Sequence, residues 1–307
     1  MASALAACRP GPSGGPRGQG ELAGPVHGPL VPPEGILLGA WVKPTQGFLE
    51  SEQKAALRDF EELIGRRLDV VHHYVPAGRP LGWNAAWYLG RGQIPLISWG
   101  GLPSADVVAG THDRYIKDFA RSVRSLGAPV FLRYGAEMDG QRNRGWAGEA
   151  ATFGAAWRRI HGLFEDTPVA WVWAPNASAF ADGTAPRYYP GHRYVDWIAA
   201  DGFNWNGCRG DPWEDFEQIF GPFYEWGSAT NKPLMVSETG TVEDPSDPMR
   251  KAEWLRRAGS AMAGMPALRA FVYFHSDRDC PWWLHSSPAS IRAFRDISHG
   301  PPISGPA

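Results

Sequence analysis

Several large classes of protein are excluded by what this chain does not contain. No run of about 18 apolar residues occurs in it, so no segment reads as a membrane-spanning helix. A net charge of −2 leaves no basic footprint, and nucleic acid is not expected as a partner. No G-x-G-x-x-G turn follows the first strand-like run, so the dinucleotide fingerprint of doubly wound folds is missing. His72-His73 and Glu243-Asp244 do not have metal-ligand spacing, and neither a metal nor another cofactor is expected. Cysteine is scarce, with Cys8, Cys208 and Cys280 the full complement. No long internal repeat is visible.

What remains is an ordinary globular composition. Hydrophobic residues make up 43% and charged residues 20%, enough apolar material for a sizeable core. A length of 307 residues suits one α/β barrel, which typically needs about 250. Tryptophan is in excess, with 15 copies. Most tryptophans in any protein are core, but indoles also stack on the flat C–H faces of sugars, and the excess leans towards a carbohydrate cleft.

The N-terminus stands apart. Met1 to Ala7 is Ala-rich and ends Leu5-Ala6-Ala7-Cys8, and residues 9–33 are dense in Gly and Pro. Leu-Ala-Ala-Cys resembles the lipobox of bacterial lipoprotein signals, in which the cysteine is lipidated. A complete signal needs a charged region and about 7 to 15 apolar residues before the cut, more than precede Cys8. Two readings stand: a chance Ala-rich start, or a signal remnant followed by a flexible tether over residues 1–33. The second places the protein outside the cell or on the envelope, tethered through Cys8; the first leaves it cytoplasmic. Cys208 and Cys280 then form a disulfide in an oxidising compartment, or stay free in their loops.

From residue 34 to 300, apolar runs alternate with helical stretches. Strands are expected at Ile36–Val42, Asp69–Val75, Ile94–Trp99, Val130–Tyr134, Val169–Trp173, Val195–Ala200, Leu234–Ser237 and Leu268–Phe274. Helices are expected around Glu50–Ile64, Asn84–Leu89, Asp113–Ser125, Glu149–Phe164, Trp213–Trp226, Met249–Met262 and Pro288–Ile297. In the first of these, Ala56, Leu57, Phe60, Leu63 and Ile64 recur at helical spacing. Strands this continuously apolar belong to a parallel sheet covered on its outer face. Eight of them predict a single-domain α/β fold, the (β/α)8 TIM barrel, expected to act as a monomer.

Two glutamates sit where such barrels keep their catalysts, at the C-terminal ends of strands. Residues 129–136 run into Glu137, and residues 233–237 run into Glu238. Strands 4 and 7 lie across the mouth from one another. A pair of carboxyl groups facing each other over a sugar can cleave a glycosidic bond, and about 5 Å of separation gives retention through a covalent intermediate. Glu137 is assigned as acid/base and Glu238 as nucleophile. Taken singly, each is equally well a turn or loop carboxylate, since Asp139-Gly140 is itself a turn signal.

The residues around them resemble glycoside hydrolase family 26, which holds β-mannanases with some xylanases and mixed-linkage glucanases. Residues 132–140, with Trp146 after them, resemble its R-x-x-H-E-M-N-G…W acid/base segment. Trp171-Val172-Trp173-Ala174-Pro175-Asn176 resembles its strand 5. Val195 to Trp205, containing Asp201-Gly202-Phe203-Asn204-Trp205, is similar to its strand 6, and Ser237-Glu238-Thr239-Gly240 matches its nucleophile segment. Phe271 to Phe274 with Trp282 or Trp283 resembles its strand 8. The resemblance covers most of residues 36–297 and implies a retaining hydrolase of β-linked mannan, xylan or glucan. It departs from the pattern at Ala136, where the family has His, at Phe203, where it has a Tyr bonded to the nucleophile, and at Tyr273, where Trp is common. These departures imply an altered sugar pocket, or a barrel that binds glycan without cleaving it. A phosphate-handling barrel would need a Gly-rich cup after strands 7 and 8, and Gly240 alone does not make one.

Arg133 is expected near the sugar or the nucleophile, or in a structural ion pair. Asn176, Asp201 and Asn204 are expected to bond sugar hydroxyls, or to close Asx turns. Trp205 and Trp173 lead the stacking candidates, ahead of Trp99, Trp282 and Trp283; Phe203 and Tyr273 complete the expected substrate contacts. His73 and Tyr74 end strand 2, and His275 and Asp277 end strand 8. A histidine inside a barrel is more often a satisfied core residue than a catalyst.

Overall fold

The computed structural model describes residues 26–303. Met1 to Ala7, Cys8 and most of the expected tether lie outside the described residues. Eight parallel strands close on themselves in chain order: β1 (Leu37–Val42), β2 (Val70–Val75), β3 (Ile94–Trp99), β4 (Val130–Tyr134), β5 (Val169–Trp173), β6 (Trp197–Asn204), β7 (Leu234–Thr241) and β8 (Leu268–His275). This is a (β/α)8 TIM barrel. Strand alternation sorts the side chains: Val70, Leu96, Phe131, Val172, Trp197, Met235 and Val272 fill the barrel, and their neighbours face the helices.

The helices form for the reasons visible in their sequence. Helix Glu50–Ile64 buries Leu57, Phe60, Glu61 and Ile64 on one face and stops at Gly65, whose φ of 78° is the left-handed cap that glycine adopts without strain. Short helices at Ser104–Val108, Arg144–Ala147 and Ser178–Ala181 had no periodic signal, being too brief for one. Part of the expected tether is built into the fold. Trp197 Nε1 donates to Pro29 O at 2.8 Å, and Leu30 and Val31 pack against the apolar barrel interior.

Strands β6 and β7 run further than their apolar stretches suggested. They stay paired through Asp201↔Glu238 to Asn204↔Thr241, past a register shift at Ala200/Asp201. Glu238 therefore sits within β7 rather than beyond it. A bulge re-aims side chains locally. Here the polar groups of β6 and β7 converge on the mouth of the barrel.

Candidate active site

At the C-terminal end of the strands lies a cleft of about 1020 Å³, with both Glu137 and Glu238 in its lining. Its floor is built on Arg133, the last inward-facing residue of β4, which is only 2% exposed. Its guanidinium spends its donors on every side. Nε donates to Ser98 Oγ at 2.7 Å, and Nη1 donates to both oxygens of Asp201 at 2.6 and 2.7 Å. Nη2 donates to Glu238 Oε1. Ser237 Oγ adds a bond to Asp201 Oδ1 at 2.6 Å. A buried cation needs this degree of pairing, because desolvation of an unpaired one is prohibitive. Charge from Asp201 and Glu238 more than offsets that desolvation, and the Arg133 pKa is raised.

Glu238 is further held from β2. The Tyr74 hydroxyl donates to the same oxygen, Oε1, at 2.6 Å. His72 Nε2 lies 3.9 Å from it and bonds Ser98 Oγ at 2.6 Å; burial pushes this imidazole well below its ordinary pKa, so it stays neutral. The family's hydroxyl at position 203 is absent, and Tyr74 brings one to the glutamate from the other side of the mouth.

Glu137 is placed by its backbone. It stands in the turn after β4 with φ of 54°, a left-handed conformation uncommon for a side chain of this size. The turn is locked: Glu137 N donates to Ala174 O at 2.8 Å, and Glu137 O accepts from Asn143 Nδ2 at 2.9 Å. Asn143 Oδ1 in turn accepts from Trp146 Nε1 at 3.1 Å. The indole of Trp146 can lie there because residues 101 and 135 are glycines; a Cβ on either would come within 2.1 and 2.8 Å of it. Burial first, and the negative charge of Glu238 second, push the Glu137 carboxyl up to about 7, with Arg133 pulling the other way. At neutral pH it holds a proton a large part of the time, which leaves it able to donate one.

Several expected contacts fall in the cleft lining: Arg133, Asn176, Asp201, Phe203 and Trp205, together with Trp282. Asn176 is committed to Asp139, bonding it through its backbone N at 3.0 Å and its Nδ2 at 2.9 Å. Trp205 carries the Arg209 guanidinium 3.3 Å above its ring centre. The structure joins Cys208 to Cys280, tying the loop after β6 to the loop after β8.

Four expected substrate contacts are corrected. Trp173 is fully buried on the helix side of β5, packed against Phe180, Tyr189 and Trp226. Asn204 is buried and bonds Thr241 Oγ1 at 2.9 Å and Glu214 N at 3.2 Å. Tyr273 is buried and donates to Trp282 O at 2.7 Å. Trp283 packs on His275 and His285 and is not part of the cleft lining. Trp99 borders the cleft but is almost wholly buried, its ring stacked on Phe119. Sequence reasoning gave no role to Ser98 or Asn143 and left Tyr74 as a strand end. The period-two alternation of β2, with His73 outward against Tyr88, was the available signal for placing His72 and Tyr74 inward. Among the described residues no cluster of three or more His, Cys, Asp or Glu could hold a metal ion.

With the geometry in place, known proteins can be set beside it. No protein-family model matches the chain. Endoglucanase H of Acetivibrio thermocellus is 30% identical over 280 residues, covering 85% of this chain and 30% of that protein. Beta-1,3-xylanase TXYA of a Vibrio species is 22% identical over 297 residues, covering 84% of this chain and 60% of that protein. The chain thus spans about a third of the length of the first of these curated relatives and less than two thirds of the second. A family 26 β-mannanase of Bacteroides ovatus superposes with a TM-score of 0.66 at 14% identity, covering 89% of this chain and 90% of that one. The chain resembles glycoside hydrolase family 26. A β-mannanase from a protist symbiont of the termite Reticulitermes speratus, solved with a gluco-manno-oligosaccharide, superposes with a TM-score of 0.62 at 18% identity over 88% of each chain. At such identities the structural likeness to family 26 is one of fold.

Proposed function

We propose that this protein is a retaining glycoside hydrolase acting on a β-linked glucan, xylan or mannan, with Glu137 as acid/base and Glu238 as nucleophile. One observation carries the reading. A carboxyl pushed up to about 7 shares a cleft with a carboxylate ion-paired to Arg133, whose negative charge is the second cause of that rise after burial. Pairs of carboxyls whose environments differ in this way divide into acid and nucleophile.

In the first step Glu238 attacks the anomeric carbon while the bond to the leaving oxygen breaks and takes the Glu137 proton. In the second, water gives a proton to Glu137 and its oxygen displaces Glu238 from the sugar. No metal or cofactor is needed. The fold, the family resemblance and the names of the relatives support a hydrolase; the aromatic wall of Trp146, Phe203, Trp205 and Trp282 supports a sugar substrate. A silent glycan-binding barrel was motivated by Ala136 and Phe203, and the Tyr74 hydroxyl on Glu238 weighs against it. A disulfide between Cys208 and Cys280 suits an exported protein, and we propose that the chain works outside the cytoplasm as a monomer.

The test is a panel of β-glucans, xylans and mannans assayed for reducing ends, followed by Glu238→Ala and Glu137→Ala on the best substrate. Each variant is expected to lose at least about a thousandfold in kcat. Azide restores turnover of an activated aryl glycoside by Glu238→Ala, giving an α-glycosyl azide from a β-substrate. Undiminished hydrolysis by Glu238→Ala would refute the assignment.

A further inference from the structure

We propose that Tyr74 is a positioning residue that fixes Oε1 of Glu238, leaves Oε2 as the atom that bonds to the sugar, and helps Glu238 leave again in the second step. This rests on the reading of Glu238 as nucleophile.

The argument starts from the two oxygens of one carboxylate. Oε1 accepts from Tyr74 at 2.6 Å and from Arg133, with His72 at 3.9 Å behind them. Among the described residues Oε2 accepts no hydrogen bond, and Glu238 lines the cleft. A carboxylate anchored through one oxygen presents the other in a fixed direction, which is what in-line attack requires. Tyr74 is suited to this by its place on β2. The side chains of His72 and Tyr74 point inward on alternate residues, and Tyr74 is the one nearer the mouth. Its surface is 38% exposed, yet its hydroxyl is the part turned down on Glu238. Burial of that hydroxyl and the Glu238 charge push the phenol well above its ordinary pKa, so it carries its proton throughout.

The consequence follows from how the charge moves. When Oε2 bonds to the anomeric carbon, the negative charge of Glu238 is lost and Oε1 becomes an ester carbonyl, a poorer acceptor. The Tyr74 bond is therefore strongest when Glu238 is a free carboxylate and weakest in the covalent intermediate. It favours departure of Glu238 from the sugar over its arrival. In the second step the sugar–Oε2 bond breaks, its electron pair returns to Glu238, and water supplies the replacing oxygen. Tyr74 keeps its own proton in both steps.

Tyr74→Phe removes one hydroxyl and preserves the ring, so its folding can be checked by an unchanged melting transition. With a dinitrophenyl glycoside of the substrate sugar, whose first step is fast, Tyr74→Phe is expected to lower kcat about ten- to a hundredfold, the scale of one hydrogen bond to a charged group. KM falls with it, kcat/KM changes by less than about tenfold, and the glycosyl-enzyme ester accumulates on Glu238 in the intact-protein mass spectrum. Fluorotyrosine at position 74, a stronger donor, is expected to restore kcat to the wild-type level or above. Equal losses in kcat and kcat/KM with no accumulated ester, or wild-type kinetics, overturn the proposal while leaving Glu238 as nucleophile. Retained turnover in Glu238→Ala overturns the reading beneath it, and this proposal with it.

Discussion

Arg142 and Asp279 meet over the mouth of the barrel, Nη1 to Oδ1 at 3.6 Å. Arg142 belongs to the loop after β4 and Asp279 to the loop after β8, strands that lie opposite each other in a closed ring of eight. Both line the cleft, so the pair bridges it from side to side. The loop after β8 is fastened at Cys280 to Cys208 and at Trp282 O to the Tyr273 hydroxyl. On the proposed function, a long glycan has to pass beneath the bridge or displace it, whereas a short one does not.

The bridge is exposed, and such pairs contribute about 0–1 kcal/mol. Asp279→Ala is accordingly expected to raise kcat/KM on soluble polymer relative to a short oligosaccharide by about two- to fivefold, with melting temperature unchanged. High salt should produce the same change in the wild type and none in the variant. An unchanged ratio would mean that the bridge does not obstruct the chain.

Trp205 and Trp173 give a paired test. Trp205 lines the cleft under Arg209; Trp173 lies wholly in the core between β5 and the helices. Trp205→Ala is expected to raise KM severalfold with little loss of stability. Trp173→Ala is expected to cost about 3–5 kcal/mol in urea unfolding and to leave KM alone. The reverse pattern would exchange their roles.

That pair also shows what the sequence could and could not tell. The barrel was legible, since eight apolar runs alternate with helices and Glu50–Ile64 carries its helical spacing openly. The two glutamates were legible from the strands that lead to them. Trp173 was misjudged because a strand end near the mouth does not say which side a ring takes. The small residues at Ala170 and Ala174, which must share the barrel interior, would have turned Trp171 and Trp173 outward. The link from Tyr74 to Glu238 had no local signal, because it joins β2 to β7 through closure of the ring. Nor could residue spacing foresee that Asn204, in a segment resembling the family's, spends its amide on Thr241.

Asp201 tests the floor. Both its oxygens accept from Arg133, and both residues are almost entirely buried. Removing one partner of a buried pair leaves an uncompensated charge and costs about 3–5 kcal/mol. Asp201→Ala is expected to lose that much stability, and Asp201→Asn less, since an amide still offers Arg133 one acceptor. Activity should fall in both, because the cation that holds Glu238 is no longer fixed. A stability change below about 1 kcal/mol in Asp201→Ala would show that Arg133 is held by its other partners.

The Glu137 carboxyl ties activity and stability to the same pH window. In the proposed mechanism its proton is used in the first step and is held up to about 7, so kcat/KM on a substrate with a poor leaving group should decline as pH rises through about 7. A dinitrophenyl leaving group needs no proton, and its profile should lack that limb. For stability, the folded value lies above the ordinary 4.5, so the native state binds more protons than the unfolded chain between about 4.5 and 7. Stability therefore falls as pH rises across that interval, and the penalty is complete above about 7. Glu137→Gln carries no charge to bury, so it is expected to melt higher than wild type at pH 8 and equally at pH 4. Glu238→Gln removes the neighbouring charge that is the second cause of the shift, and should move the Glu137 titration downward when followed by carboxyl infrared absorption. A Glu137 titration that stays in place in that variant would assign the whole shift to burial and dissolve the electrostatic pairing of the two glutamates.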